Sequence, residues 1–261
     1  MHPELFHINH LSGFENITIY TYSVCIVLGT WIASLYTKWS AKNELGIIDI
    51  SNNFFYLVFI AGFIGGKVFF YLERPLFFWN NPNLLLHNFS GGFVFYGSFI
   101  TIIPFVIWYL KKHKIPILPM LDILAITTTI VHSIGRFGCF FAGCCYGKPT
   151  NSIFGLVFPK TNNITVHPSQ LYEIIGIGII MIILFRMKKN KLFHGQIFLS
   201  YITLYAIIRG FLELFRGDNR GFVIPDILSH SQFIALLILV ASLILYKKIK
   251  NKQITLKTIN K

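Results

Sequence analysis

Residues 167–173 read His-Pro-Ser-Gln-Leu-Tyr-Glu and open directly into the apolar run from Ile174 to Phe185. An imidazole, an amide, a phenol and a carboxylate thus gather at the mouth of an apolar segment, which points to chemistry at a bilayer surface. Pro168 suits the first position of a helix, where its missing N–H costs nothing, and His167, Gln170 and Glu173 then fall three residues apart on one face. Farther along, Tyr205, Arg209, Glu213 and Arg216 follow i, i+4, i+8 and i+11 spacing, which predicts a single helical stripe. Two arginines against one glutamate leave a surplus positive charge, and a guanidinium fork matches phosphate oxygens in a way that an ammonium does not. The stripe therefore suits an anionic lipid headgroup, with simple neutralisation of the arginines by Glu213 as the alternative. A further arginine, Arg136, is set among Gly135, Gly138, Gly143 and Gly147. Glycine at this density lets a helix or a lipid approach the backbone, or lets a helix break where it lines a cavity.

The elements that position these groups are membrane spans. Of the 261 residues, 54% are hydrophobic and only 13% charged, against about 25% charged in a soluble domain. Apolar stretches near the roughly 20 residues needed to cross a bilayer lie at 17–37, 53–72, 92–110, 117–141, 168–185, 194–214 and 231–246. This predicts an all-α integral membrane protein of about seven transmembrane helices forming one domain over residues 1–261. The first apolar run is too long for a signal-peptide core and no Lys or Arg precedes it, so the first span is expected to stay in the mature protein.

A net charge of +13 would suit nucleic acid, but its distribution argues for a membrane instead. Lys38, Lys42, Lys111, Lys112, Lys114, Arg186, Lys188, Lys189, Lys191 and the six lysines from Lys247 to Lys261 fall on one side of the seven-span arrangement, 15 in all. The other side holds 5: Arg74, Lys148, Lys160, Arg216 and Arg220. Excess Lys and Arg marks the cytoplasmic face, which predicts an external N-terminus and a cytoplasmic C-terminus. Lys67, Arg136 and Arg209 remain within or at the ends of apolar spans, where a charge costs about 2.5 to 3.5 kcal/mol and usually faces partners, water or substrate.

Together these features resemble the prolipoprotein diacylglyceryl transferase family. The resemblance rests on the heptad 167–173, Gly135-Arg136-x-Gly138 in a loop closing at Gly147, Gly91-Gly92 followed by Tyr96 and Gly97, the stripe of Arg209, Glu213 and Arg216, Tyr22 in the first span and Ser231-Gln232 in the last. It implies a multi-pass enzyme of the bacterial cytoplasmic membrane that moves diacylglycerol from phosphatidylglycerol to the thiol of a lipobox cysteine in a prolipoprotein signal peptide. Glycerol-1-phosphate leaves, with no metal or organic cofactor and no nucleic acid involved. The same resemblance makes Arg136 and Arg209 the residues that bind and polarise the donor phosphate, with Tyr96 and His167 beside them as catalytic candidates. Tyr22, Gly135, Gly138, Gln170, Tyr172, Glu173, Tyr205, Glu213 and Arg216 become substrate-binding residues. The chain departs from the family pattern at Tyr96, where a histidine is usual, at Cys139, where an asparagine is usual, and at Cys144, where an acidic residue is usual.

Transfer to a thiol needs the thiolate, whose unperturbed pKa is about 8.5 and which a cationic pocket lowers. Tyr96, His132 and His167 are the candidate bases. Two rival readings use the same residues. Cys139, Cys144 and Cys145 with His132 offer thiol and imidazole for a redox or metal protein, but Cys-x-x-Cys spacing is absent and adjacent cysteines rarely close a comfortable disulfide. Packing is the expected role of these cysteines. Intramembrane charge and broken glycine helices also build transporters, whose usual internal repeat is not evident. A related membrane transferase with a different acceptor is the remaining alternative.

Overall fold

The computed structural model describes residues 4–8, 17–48, 50–73, 75–80, 95–217, 222–224 and 228–259. Arg74, Gly91, Gly92 and Arg220 lie outside the described residues, as does the side chain of Tyr96. In chain order the elements are β1 (Glu4–Ile8), β2 (Ile17–Tyr20), α1 (Thr21–Leu45), α2 (Asn52–Glu73), the short α3 (Pro75–Asn80), α4 (Phe95–Lys112) and α5 (Ile117–Phe141). There follow β3 (Leu156–Val157), β4 (Thr165–Val166), α6 (Ser169–Lys189), α7 (Gln196–Leu212), a 3-10 turn (Glu213–Phe215), β5 (Phe222–Ile224), β6 (Leu228–Ser229) and α8 (His230–Ile259).

Among the described residues five helices are long and apolar enough to cross a membrane: Asn52–Leu72, Ile117–Phe141, Ser169–Lys189, Gln196–Phe215 and His230–Gln253. They coincide with five of the seven expected spans and make the chain a helical, multi-pass membrane protein. The first and third expected spans are also helical, as α1 and α4, but do not reach that combination of length and apolar character. The helix at the first expected span begins at Thr21, later than expected. Ile17–Tyr20 is a strand paired antiparallel with β1, Ile8 facing Ile17 and His7 facing Thr18, because the β-branched run Ile-Thr-Ile favours an extended backbone. Two further two-stranded ribbons, β3 with β4 and β5 with β6, qualify the all-α reading.

The chain divides into two compact units, Ala41–Met120 and Met1–Ser40 with Leu121–Lys261. In the first, α2 and α4 pack through small residues. A Cβ on Gly65 would meet Thr101 and the Gly97 carbonyl, a Cβ on Gly97 would meet the Gly65 carbonyl and Phe69, and Ser98 Oγ donates to Gly62 O at 2.6 Å. Gly65 and Gly97 thus serve close helix packing.

In the second unit Ala125 and Ile126 of α5, Ile180 and Leu184 of α6 and Ile197 of α7 form a buried core flanked by Tyr36, Tyr201 and Tyr205. Polar clamps fix the helix ends remote from the heptad. Asp122 accepts from Gly195 N at 2.9 Å and Phe198 N at 3.0 Å, which satisfies orphan donors at the start of α7. Gly195 itself takes the left-handed conformation, φ 92°, that lets the chain turn into the helix. Lys188 reaches from α6 to α1, donating to Tyr36 OH at 2.9 Å and Ser40 Oγ at 2.7 Å. Thr203 and Ser242 hydroxyls, 2.9 Å apart, tie α7 to α8.

Candidate active site

At the other end of this unit three helices converge on one carboxylate. His132 and Arg136 are four residues apart and so share a face of α5; both reach Glu173 in the first turn of α6. His132 Nε2 stands 3.1 Å from Glu173 Oε1, Arg136 Nε 3.0 Å from Oε2, and Tyr205 OH of α7 donates to Oε1 at 3.3 Å. Glu173 is 2% exposed. A buried carboxylate is costly unless paired and hydrogen-bonded, and these three partners meet that condition. Because Arg136 uses Nε for the contact, both Nη groups remain for a ligand, and its side chain is 20% exposed.

A second guanidinium lies one turn beyond Tyr205. Arg209 Nη2 stands 2.7 Å from Glu213 Oε2 and donates to Ser231 Oγ of α8 at 3.5 Å. The approach to Oε2 is off-line for a hydrogen bond, and Oε2 has no aligned donor among the described residues. Glu213 is held instead through Oε1 by Ser229 Oγ at 3.3 Å. Arg209 Nη1 is buried and has no partner among the described residues. Both arginines act electrostatically on Glu173 and on Tyr205, so they belong to one neighbourhood. A buried donor on a fixed charge beside a second, partly exposed guanidinium is suited to an anion with several oxygens, as a phosphodiester has.

The loop after α5 is stitched to the starts of its neighbours. Gly147 N donates to His167 O at 2.7 Å, Lys148 N to Phe215 O at 2.8 Å, and His167 N to Lys148 O at 3.0 Å. A Cβ at Gly147 would run into the Phe215 carbonyl and His167, so only glycine lets the three segments approach this closely. The same loop turns back over the end of α5. Gln170 Nε2 donates to Cys144 O and Ser169 Oγ to Cys145 O at 2.7 Å. Hydrogen bonds with Cys139 and then Cys144 hold the Cys145 thiol well below the usual range against desolvation, with Arg136 and Arg216 adding to the effect.

A family model for the prolipoprotein diacylglyceryl transferases matches residues 9–247. The chain belongs to the prolipoprotein diacylglyceryl transferase family. It is 32% identical over 250 residues to a phosphatidylglycerol–prolipoprotein diacylglyceryl transferase of Clostridium tetani, covering 94% of this chain and 97% of that one. A second such transferase, of Clostridium perfringens, is 31% identical over 252 residues with the same coverage. One from Wolbachia pipientis of Culex pipiens is 30% identical over 209 residues, 78% of this chain and 80% of the relative.

Several candidate site residues stand apart from their expected places. Pro168 precedes α6 as its N-cap, with ψ 68°, rather than opening it. His167 therefore lies off the helix, its Nδ1 3.1 Å from Tyr172 OH and its ring edge-on to Phe215, and does not share a face with Gln170 and Glu173. Arg216 does not continue the stripe either: α7 ends at Leu212, a 3-10 turn follows, and Arg216 is extended and bridges Gly147. Gly135 and Gly138 take the packing of α1, where a Cβ on Gly138 would meet Tyr22 and Cys25 and one on Gly135 would touch Ile26. Tyr22 is thereby placed beside the Arg136 turn. Gln170 Oε1 is buried without a partner among the described residues. Tyr96 and Lys67 belong to the other unit. Sequence reasoning named His132 only as a possible base and missed Ser229 as a holder of Glu213. The i, i+4 spacing of His132 and Arg136 was the signal available for the first; no spacing rule joins Ser229 to Glu213.

Proposed function

We propose that this chain moves the diacylglyceryl group of phosphatidylglycerol onto the thiol of a lipobox cysteine in a prolipoprotein signal peptide, at the outer leaflet of the bacterial cytoplasmic membrane. The observation that carries the reading is the pair Arg136 and Arg209, one locked by Glu173 through Nε, the other with a buried, unpartnered Nη1. The names of the clostridial relatives support both substrates. In this reading the whole chain is one transferase domain with seven spans, external N-terminus and cytoplasmic C-terminus, supported by the charge asymmetry of its loops.

The acceptor thiolate attacks the glycerol carbon that carries the phosphoester. A carbon–sulfur bond forms, the carbon–oxygen bond breaks, and negative charge moves from sulfur to the departing glycerol-1-phosphate. Guanidinium groups aimed at that phosphate stabilise the charge where it develops, which makes the catalysis electrostatic and requires no covalent enzyme intermediate. The acceptor proton passes to a base. With Nε2 donating to Glu173, His132 presents Nδ1 as acceptor; His167, its Nδ1 engaged with Tyr172, presents Nε2. Tyr22, Tyr172, Tyr205, Gln170, Glu213 and Arg216 line or brace the binding region. Protein in vesicles of phosphatidylglycerol labelled in its diacylglyceryl part, given a lipobox peptide, tests the reading: label on the peptide supports it. Label that stays with lipid, in protein shown to be folded, refutes it.

A further inference from the structure

Three of the four cysteines meet at one point, the neighbours Cys144 and Cys145 joined there by Cys139 from the end of α5. The backbone achieves this by a tight reversal at the end of α5. Cys144 N donates to Cys139 O at 3.2 Å, Gly143 has φ 63° and Cys145 has φ 64°. Neighbouring side chains in an extended segment point apart; a left-handed residue at Cys145, rare for anything but glycine, brings its thiol to the same side as that of Cys144. The two sulfurs are 3.7 Å apart, and all three lie within 4.8 Å of one another. The turn is pinned from outside by α6, since Gln170 and Ser169 hold the Cys144 and Cys145 carbonyls. Simple packing would not require a strained residue and two side-chain clamps beneath an exposed thiol.

We propose that Cys139, Cys144 and Cys145 form a three-thiolate site for one thiophilic divalent cation of the zinc class. Zinc–sulfur bonds of about 2.3 Å in a tetrahedron place sulfurs roughly 3.8 Å apart, which Cys144 and Cys145 already satisfy and which side-chain rotation of Cys139 brings within reach. Thiolate donors select soft or borderline cations over magnesium or calcium. Binding replaces the thiol protons, so three thiolates and one divalent ion carry one net negative charge. Arg136 and Arg216, both acting electrostatically on Cys145, and Lys160, acting on Cys144, balance it. Cys145 is exposed, which leaves an entry path and a fourth position for water or an exogenous ligand. Arg136 is also the arginine proposed to hold the donor phosphate, so the site borders the transfer chemistry.

Cadmium gives the direct test, because its thiolate complexes absorb in the ultraviolet. Reduced, detergent-purified full-length protein titrated with Cd2+ should develop a sulfur-to-metal charge-transfer band that saturates at one equivalent and is displaced by excess Zn2+. The band should vanish in Cys139→Ser, Cys144→Ser and Cys145→Ser and persist in Cys25→Ser. Mass-tagging of the unaltered protein with maleimide gives a second readout that needs no variant: Zn2+ should shield three thiols and leave Cys25 as reactive as before. Absence of a saturable band, its survival in the triple serine variant, or equal labelling of all thiols with and without Zn2+ overturns the proposal.

Discussion

Replacing Glu173 by Gln tests how Arg136 is held. Glutamine keeps the shape of the side chain but removes its charge and turns one acceptor oxygen into a donor amide. The carboxylate now serves His132 Nε2 at 3.1 Å, Arg136 Nε at 3.0 Å and Tyr205 OH at 3.3 Å. Turned one way, the amide nitrogen confronts the Arg136 Nε donor; turned the other, it meets Tyr205 OH and His132 Nε2, which must then accept in its other tautomer, and the charge that held the guanidinium is gone either way. Breaking a buried ion pair costs about 3–5 kcal/mol, but the Arg136 side chain is 20% exposed and can recover part of its hydration. The loss should then approach that of a hydrogen bond to a charged group, about 2–3 kcal/mol. Expressed as a misplaced guanidinium in the transition state, this is roughly a 30- to 160-fold fall in transfer rate. Initial rates with labelled phosphatidylglycerol and a lipobox peptide, at matched protein levels in membranes and several donor concentrations, should show the fall mainly in kcat. Asp122→Asn is the control. That carboxylate is also buried but holds the start of α7 through Gly195 N and Phe198 N; its loss should lower thermal stability while leaving the rate per folded molecule intact. If Glu173→Gln stays within about threefold of the parent rate, less than 1 kcal/mol, the carboxylate does not position Arg136 for catalysis.

Three further outcomes follow from the same structure. Gly147→Ala places a methyl against the Phe215 carbonyl and His167 and should cost about 1–3 kcal/mol of stability, whereas Gly178→Ala, with nothing within 4 Å, should be neutral or slightly stabilising; thermal melts of the two in detergent check this. A reporter fused after Lys261 should read cytoplasmic and one inserted in the loop 148–165 external; agreement of the two on one side contradicts the seven-span topology. Ser231→Ala removes the hydroxyl 3.5 Å from Arg209 Nη2. It should slow transfer by less than tenfold, measured as initial rate, because a long hydrogen bond contributes less than about 1.4 kcal/mol.

Helix positions were legible in the sequence; the way the candidate site residues are shared out among them was not. Apolar runs near the thickness of a bilayer fall on seven of the eight described helices, and five of those are long and apolar enough to cross a membrane. Ile17–Tyr20 escaped that logic, since a β-branched tetrapeptide is equally apolar as a strand. The i, i+4 pair His132/Arg136 holds because both members stay within one regular helix. Arg209 and Glu213 keep their i, i+4 relation because Glu213, the first residue of the 3-10 turn, still has helical backbone angles and caps α7. Periodicity failed where the helices stop. His167 sits before α6 and Arg216 after the 3-10 turn, so neither obeys the helical face assigned to it, and both are placed by backbone bonds to residues 147 and 148 that no local pattern encodes. Glu173, read as one of several substrate-binding groups, turns out to be the carboxylate on which three helices close. The cysteine loop was the least legible part, because its convergence depends on a positive φ at a residue other than glycine.

Transfer rates of Arg136→Lys and Arg209→Lys test the central claim, that two guanidinium groups from different helices hold the donor phosphate. Lysine keeps the charge but loses the fork that binds two oxygens, and loss of such a contact in the transition state is worth about 3 kcal/mol, roughly a hundredfold in rate. With protein levels matched in membranes and Arg220→Lys as reference, each of the two variants should lose most of its activity while the reference transfers label near the parent rate. Retained activity in both would remove the arginines from the mechanism and contradict the assignment of this site to diacylglyceryl transfer.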